Sequence, residues 1–286
     1  MAEISASLVM KLRKMSGQGM MDCKKALEEA NGDIEDAMGI LRKKGLAVLA
    51  RRAERETTEG VVIGVEGDGW ASLATICCET DFVARSDDFI AAVEAVKKYM
   101  GVCNADCGVE TLCETKVGDR KFSEVVTETV SKTGEKMVVG DYARFCLDGP
   151  GLISTYIHFN GKVGTMVHID TSNEAVATAN ELKRTAADIA MHITATKPLS
   201  LDKDGISPEV IEQERAIYAE QVKGKPANIV DKIIDGKVKR FFAENCLIEQ
   251  QFVKDNSKTV SQVLEEAAKK AGGTAKIKRF VRFEVG

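Results

Sequence analysis

Residues 151–169, GLISTYIHFNGKVGTMVHI, decide how this chain folds. Leu152–Phe159 and Lys162–Ile169 are extended runs rich in β-branched and aromatic residues, and Asn160-Gly161 between them is the strongest short hairpin signal. The polar segment Asp170-Thr171-Ser172-Asn173 follows, then a long helical pattern to about Ile193. The same order occurs earlier. Val61, Ile63 and Val65 alternate, Glu66-Gly67-Asp68-Gly69 is a turn, and Trp70–Cys78 is a second extended run. A loop then leads into a helix over Asp87–Met100, marked by Phe89, Val93, Val96 and Met100 and ended by Gly101. Gly60 and Gly151, which open the two copies, are 91 residues apart. Hairpin, polar loop and long helix occurring twice imply a duplication and two related α+β subdomains with antiparallel sheets.

Working outward, residues 1–46 predict a small module of three helices. Leu8, Leu12 and Met15 share one helical stripe, and Ser16-Gly17-Gln18-Gly19 breaks it. Asp22 can cap a second helix carrying Ala26 and Leu27. Asp33 can cap a third, with Ile34, Ala37, Met38 and Leu41 on one face and Gly45 beyond its end. So small a unit has a marginal core, and its exposed face suits partner binding better than chemistry. Residues 47–59, rich in Ala and Arg, read as a helical linker. Core subdomain 1 covers 60–148. In it Asn104–Gly118 is irregular, Phe122–Val130 is a short helix and Met137–Leu147 a strand. Core subdomain 2 covers 149–286 and is interrupted at about 205–247 by a helical hairpin. Ser207 and Pro208 open that hairpin as N-cap and N1, and Gly224-Lys225-Pro226 breaks it. A helix over Val260–Ala271 and a strand over Lys276–Val285 close the chain. Ile277, Val281, Phe283 and Val285 are assigned to one face of that strand.

The 286 residues are 44% hydrophobic and 29% charged, enough to bury a core, which excludes global disorder. A formal net charge of −4 argues against a nucleic-acid-binding domain. No apolar run approaches the roughly 18 residues of a membrane span, and Met1–Met15 lacks the apolar region of a signal peptide, so the expected place is the cytoplasm. Eight cysteines without a secretory signal do not suggest a disulfide framework. Cys103, Cys107 and Cys113 are close together, but their spacing is not that of paired zinc ligands, and free, partly buried thiols are the simpler reading.

Catalytic signatures are missing. The sequence has no phosphate-binding glycine loop after a strand, no HExxH and no GxSxG. His158, His168 and His192 are the three histidines, at positions where structural roles are usual. Asp87-Asp88 and Glu265-Glu266 fall on helix surfaces. Lys276, Lys278, Arg279 and Arg282 on the last strand could touch phosphates, but little aromatic residue is interleaved among them. Glu79-Thr80-Asp81-Phe82-Val83-Ala84-Arg85 stands apart. A Phe beside Asp in a polar loop either closes the local core or, if exposed, anchors a partner pocket.

Several segments together carry a family resemblance. They are Leu12, Met20-Met21-Asp22-Cys23-Lys24-Lys25-Ala26-Leu27, Asn31-Gly32-Asp33, Thr80-Asp81-Phe82-Val83-Ala84-Arg85, Met191-His192-Ile193 with Lys197-Pro198, Gln251-Phe252-Val253, Ser257-Lys258-Thr259-Val260 and Arg282-Phe283-Glu284-Val285-Gly286. In this order, and over almost the whole chain, the sequence resembles the bacterial translation elongation factor Ts family. The resemblance implies an N-terminal module similar to ubiquitin-associated domains, a core of two related subdomains and an inserted helical hairpin. It implies a non-enzymatic protein without cofactor or bound metal that promotes GDP release from elongation factor Tu, with no direct contact to nucleic acid or membrane. Thr80, Asp81, Phe82 and Val83 match the loop that disturbs Mg²⁺ in the GTPase. Leu12, Met20, Met21 and Lys24 in the N-terminal module, Gly134 at a turn and His158 on the second hairpin match further partner contacts; core packing is the alternative for Leu12, Met20 and Met21, and for Leu12 the two stand equal. Thr133 stands where the family pattern has Ile, and the chain's Arg282–Gly286 matches a point after which some members continue. The competing expectations are a thiol or metal enzyme built on Cys103, Cys107 and Cys113, and a passive scaffold that binds elongation factor Tu without accelerating release.

Overall fold

The computed structural model describes residues 4–104, 106, 108–222 and 227–286. Cys107 and the Gly224-Lys225-Pro226 break therefore lie outside the described residues. Three helices open the chain: α1 (Ala6–Ser16), α2 (Met20–Glu29) and α3 (Ile34–Arg51). Ser5 caps α1 by accepting from the Leu8 amide at 3.2 Å, and Asp33 caps α3 by accepting from Asp36 at 2.9 Å. Asp22 is not the cap of α2. Gly19 holds that position without a side-chain bond, and Asp22 sits in the first turn, where its charge suits the helix dipole. Val9, Leu12, Cys23, Ala26, Leu27, Ala37 and Leu41 form the core of this unit.

Gly45 does not end the third helix. Helix α3 runs six residues further, into the first five residues of the expected linker, and turns and extended chain follow, so the linker is helical only to Arg51. The glycine serves packing. A Cβ on Gly45 would lie 2.4 Å from the Thr127 carbonyl oxygen of α7 (Phe122–Thr133), so its absence lets the two helices touch backbone to backbone. Around that contact the Ser131 hydroxyl lies 3.3 Å from the Leu41 carbonyl and from Gln18 Oε1, and Arg42 pairs with Glu124 at 2.6 Å. The N-terminal unit is docked on the core along α7.

The first sheet holds β1 (Glu59–Gly67), β2 (Trp70–Cys78) and β5 (Met137–Cys146), in order β1-β2-β5 and antiparallel throughout. Between β2 and β5 come the single turn α4 (Asp81–Ala84), α5 (Asp87–Val102), α6 (Val109–Glu114), the short ladder β3 (Lys116–Val117) with β4 (Arg120–Lys121), and α7. The segment expected to be irregular thus contains a helix and half a hairpin, and α5 passes through Gly101. The second sheet holds β6 (Gly151–Ile157), β7 (Val163–Thr171) and β10 (Ala275–Glu284), in order β10-β7-β6. Its helix is broken at Ala179 into α8 (Glu174–Thr178) and α9 (Asn180–Thr196). The helical hairpin α10 (Pro208–Gln221) and α11 (Ala227–Asn245) follows, then the ladder β8 (Gln251–Phe252) with β9 (Asp255–Thr259), and α12 (Val260–Lys270).

The sheets pack face to face, and helices cover both outer faces. Val62, Ala71, Leu73, Cys77, Phe145 and Met166 lie between the sheets. Ile63, Ala74, Ile76 and Cys78 face α5 and α7, and Val167 and Ile169 face α9 and α12. Central strands β2 and β7 are buried on both faces, which is why they read as nearly continuous apolar runs. Gly164 is where the layers come closest: a Cβ there would stand 2.5 Å from Val62 Cγ1 and 2.8 Å from Ile157 Cδ1. The Val62 amide donates to the Gly161 carbonyl at 2.7 Å and ties the two hairpins together.

Strict alternation along the last strand fails. A bulge lies between Ile277 and Arg279, so Ile277 and Phe280 face the helices while Val281, Phe283 and Val285 face the other sheet. On α9 the buried His192 accepts from the Val253 amide on Nδ1 at 3.2 Å, so Nε2 carries the proton and donates to Gln250 Oε1 at 3.0 Å. Burial lowers the His192 pKa, and the Gln250 bond only partly opposes it. Among the described residues no helix is long and apolar enough to cross a membrane.

Two outcomes are expected. Gly164→Val forces the sheets apart and lowers stability by about 1–3 kcal/mol, read from denaturant unfolding at unchanged slope. Because His192 is held neutral in the fold, the unfolded chain binds the extra proton below about pH 6.5. Stability therefore falls as pH drops from 7.5 towards the lowered native pKa, by up to about 1.4 kcal/mol per unit, and His192→Gln flattens that slope.

Candidate partner-binding site

Between β2 and α5 the chain makes one helical turn that is anchored from below. Thr80 caps α4 by accepting from the Val83 amide at 3.3 Å, and Ser86 caps α5 by accepting from Phe89 at 3.2 Å. Ser86 also donates to the Val83 carbonyl at 2.8 Å, so the two caps bracket the turn. The Thr80 hydroxyl donates to both Glu135 oxygens, at 3.0 and 3.1 Å, and its amide donates to the same carboxylate at 3.2 Å. Glu79, whose side chain is 7% exposed, receives Arg52 at 2.6 Å and the Lys136 amide at 2.7 Å, with Arg55 at 3.5 Å. Burial raises the Glu79 pKa. The bond from Arg52, the Lys136 amide and the charges of both arginines outweigh it, leaving the group below its ordinary range. Lys136 Nζ in turn holds the Ala53 and Arg55 carbonyls at 2.6 and 2.9 Å.

Val83 and Ala84 turn inward onto the core beneath α5, and Phe82 turns outward. Phe82 is 83% exposed, so it does not close the local core. Asp81 beside it is half-exposed, its carboxylate 3.5 Å from Arg85. A large apolar ring on a turn bracketed by two caps and tied to Glu135 has little freedom left to lose on binding.

Gly134 ends α7 with φ +72°, the left-handed conformation that suits glycine, and donates to Val130 at 2.9 Å. It turns the chain directly into Glu135, the carboxylate that holds Thr80. Thr133 donates to the Thr129 carbonyl at 3.0 Å and accepts from the Glu135 amide at 3.4 Å, so its hydroxyl braces the same turn. On the N-terminal unit Met20 and Met21 are exposed, and so are Met10 and Met15. Such flexible, polarizable side chains suit an adaptable contact. Lys24 is half-exposed, 3.8 Å from Glu28. Leu12 is different: it is fully buried in the three-helix core. Of the two readings of Leu12, its burial supports core packing; its bulk positions α1 and α2 beneath the methionines.

His158 follows the end of β6, in the turn and not on the strand as expected. Its Nδ1 lies 3.3 Å from the Tyr156 hydroxyl, and its ring centroid is 4.3 Å from that of Phe159. Phe159, which the sequence pattern assigns to the end of the strand, is 93% exposed beside His158. The available signal was its place directly before Asn160-Gly161, which makes it a turn residue. Of the cysteine cluster, Cys103 is buried, and Cys113 packs against the same core, where burial pushes its thiol up. Lys278, Arg279 and Arg282 of the basic strand turn to Asp148, the Phe145 ring and Glu284 respectively, which occupies them within the protein.

The family model described as Elongation factor TS matches residues 79–286, beginning at Glu79 beneath this turn. The chain belongs to the elongation factor Ts family. The elongation factor Ts of Nitratiruptor sp. is 45% identical, over 99% of this chain and 93% of that one. Those of Nautilia profundicola and Clostridium perfringens are 44% and 40% identical, over 100% and 99% of this chain and 94% and 93% of theirs. Family membership makes the protein a translation elongation factor. The relatives' match extends across the N-terminal helices that precede the family model's first matched residue. The turn α4, the methionine face and the tip of the second hairpin are separate surfaces of this chain.

Thr80→Val removes the cap and the hydroxyl's bonds to Glu135, leaving only the amide's. It is expected to cost about 1 kcal/mol locally and to speed amide exchange at Val83 about fivefold, with strands β2 and β7 unchanged.

Proposed function

We propose that this chain is the nucleotide-exchange factor for elongation factor Tu, which it binds in the GDP-loaded state and releases once GTP has entered. The observation that carries the reading is the 83% exposure of Phe82 on a capped, ion-paired turn. Phe82 inserts into an apolar pocket near the switch helix of the GTPase. Asp81 acts indirectly, by shifting the residues and waters around Mg²⁺, whose near-octahedral coordination tolerates little displacement. Met20, Met21 and Lys24 grip the nucleotide-binding domain, and His158 with Phe159 touches a second region. Gly134 contributes through its turn, by placing Glu135 under Thr80. No bond is made or broken by this chain, so it acts as a binding protein and not as an enzyme.

Magnitudes favour a shared contact. A 1,000-fold faster GDP release needs roughly 4 kcal/mol of differential interaction. Burying one Phe supplies roughly 1.5–3 kcal/mol, so Phe82 needs the other surfaces. Coupling is reciprocal: whatever weakens GDP in the complex weakens the grip of this chain when GDP is bound, which allows release after GTP loads.

The test is the release rate of a fluorescent GDP analogue from elongation factor Tu. The wild-type chain is expected to accelerate release strongly, and Phe82→Ala to reduce the acceleration by about 10–100-fold, in line with the loss of one buried ring. Binding without any acceleration by the wild type would overturn the exchange reading and leave a passive scaffold. Full acceleration by Asp81→Ala/Phe82→Ala would move the site to the methionine face or the second hairpin.

A further inference from the structure

On the opposite side of the sheet pair from any surface used above, three potential metal ligands meet where the chain crosses from the first sheet to the second. Asp148 lies in the crossing turn after β5, and His168 and Asp170 share one face of β7, two residues apart. One donor atom from each lies within 4.8 Å of the other two. His168 is the unusual member. Its side chain is 1% exposed, yet among the described residues neither ring nitrogen has a hydrogen-bond partner. Its Nε2 stands 3.1 Å from Asp170 Oδ1 but out of line for a hydrogen bond.

That combination is costly for a pair meant to bond to each other, since a buried polar atom without a partner forfeits its hydration. It is natural for two donors to a common cation, which converge on the ion and not on one another. With metal–nitrogen and metal–oxygen distances near 2.1 Å, donors in a tetrahedral site stand about 3.4 Å apart. A cation is already at this place. The Lys278 ammonium lies 2.7 Å from both Asp148 oxygens and 3.9 Å from Asp170 Oδ2. Lys278 is the extra residue of the β10 bulge, unpaired between Ile277↔Ile169 and Arg279↔His168, and the bulge aims it at the carboxylates. Its side chain is one-third exposed and can swing out. Arg279 is stacked over the Phe145 ring at 4.2 Å, and its charge is not between the carboxylates.

We propose that Asp148, His168 and Asp170 form a site for one divalent first-row transition ion of the zinc class, for which Lys278 is the built-in competitor. An imidazole with two carboxylates favours such an ion over Mg²⁺ or Ca²⁺, which prefer all-oxygen shells. Three protein ligands leave a further position for water. The site is independent of the exchange reading, because none of its residues belongs to the surfaces assigned to elongation factor Tu.

Cobalt(II) is the probe, titrated into the full-length chain carrying Cys146→Ser, so that the exposed thiol two residues before Asp148 supplies no ligand. The expected result is one equivalent bound with visible d–d absorption. Asp148→Asn, at a side chain 72% exposed and so harmless to the fold, weakens binding at least tenfold. Lys278→Met removes the competitor and tightens binding about tenfold. The same order is expected for Zn²⁺ displacing the cobalt. The proposal is overturned if neither the Cys146→Ser chain nor its Lys278→Met version binds stoichiometrically. It is equally overturned if Asp148→Asn leaves affinity unchanged.

Discussion

The packing of one sheet on the other is the constraint on which everything else rests. Each sheet has only three strands, too few to bury a face by itself. Stacked, they enclose Leu73, Phe145 and Met166 on the inner side, and each outer face then needs its own helical cover. The approach is close enough at Gly164 that no side chain fits there. From that contact follow the double burial of β2 and β7, the position of α5 and α7 on one side and of α9 and α12 on the other, and the exit of the chain from β2 at the edge of the layer. Phe82 is exposed because β2 delivers it there, past the end of the sheet.

Much of this was legible in the sequence, for a physical reason. Asn160-Gly161 needs no context to signal a hairpin, and the doubled order of hairpin, polar loop and helix anticipated two antiparallel sheets, each with its own helical cover. Features set by a distant partner were not legible. Gly45 looked like a helix terminator, because nothing local reveals that Thr127 presses on it. The faces of β10 were misjudged because a bulge changes parity, and a bulge is a property of two strands together. Asn104–Gly118 hid the helix α6, which is too short to show a period.

The residues proposed to bind divide in the same way. Phe82 was legible as an oddity, an aromatic ring with no apolar neighbour to explain it, but only burial could decide between core and surface. Leu12 and the methionines share one motif region, and sequence alone could not separate Leu12, which fills the core, from Met20 and Met21, which cover it. Phe159 was lost to a strand boundary off by two residues. Asp148 and Lys278 drew no notice as partners of His168, since 130 residues separate the first two along the chain. Recognition of the family fills some of these gaps and leaves others, because it names positions and does not say which way they point.

Helix α3 carries a consequence for the energetics of assembly. Its 18 residues span about 27 Å as a rod and are clamped at the middle against α7 through Gly45. Contact with α7 sets where the methionine face stands relative to the Phe82 turn, since the end of α7 leads through Gly134 into Glu135 beneath Thr80. A target that fits both meets the second at a very high effective concentration once the first is engaged, as in a rigid bivalent ligand. One that fits only one gains nothing from the other. Weak patches thereby add into avidity for a single shape, and the spacing itself becomes the selector.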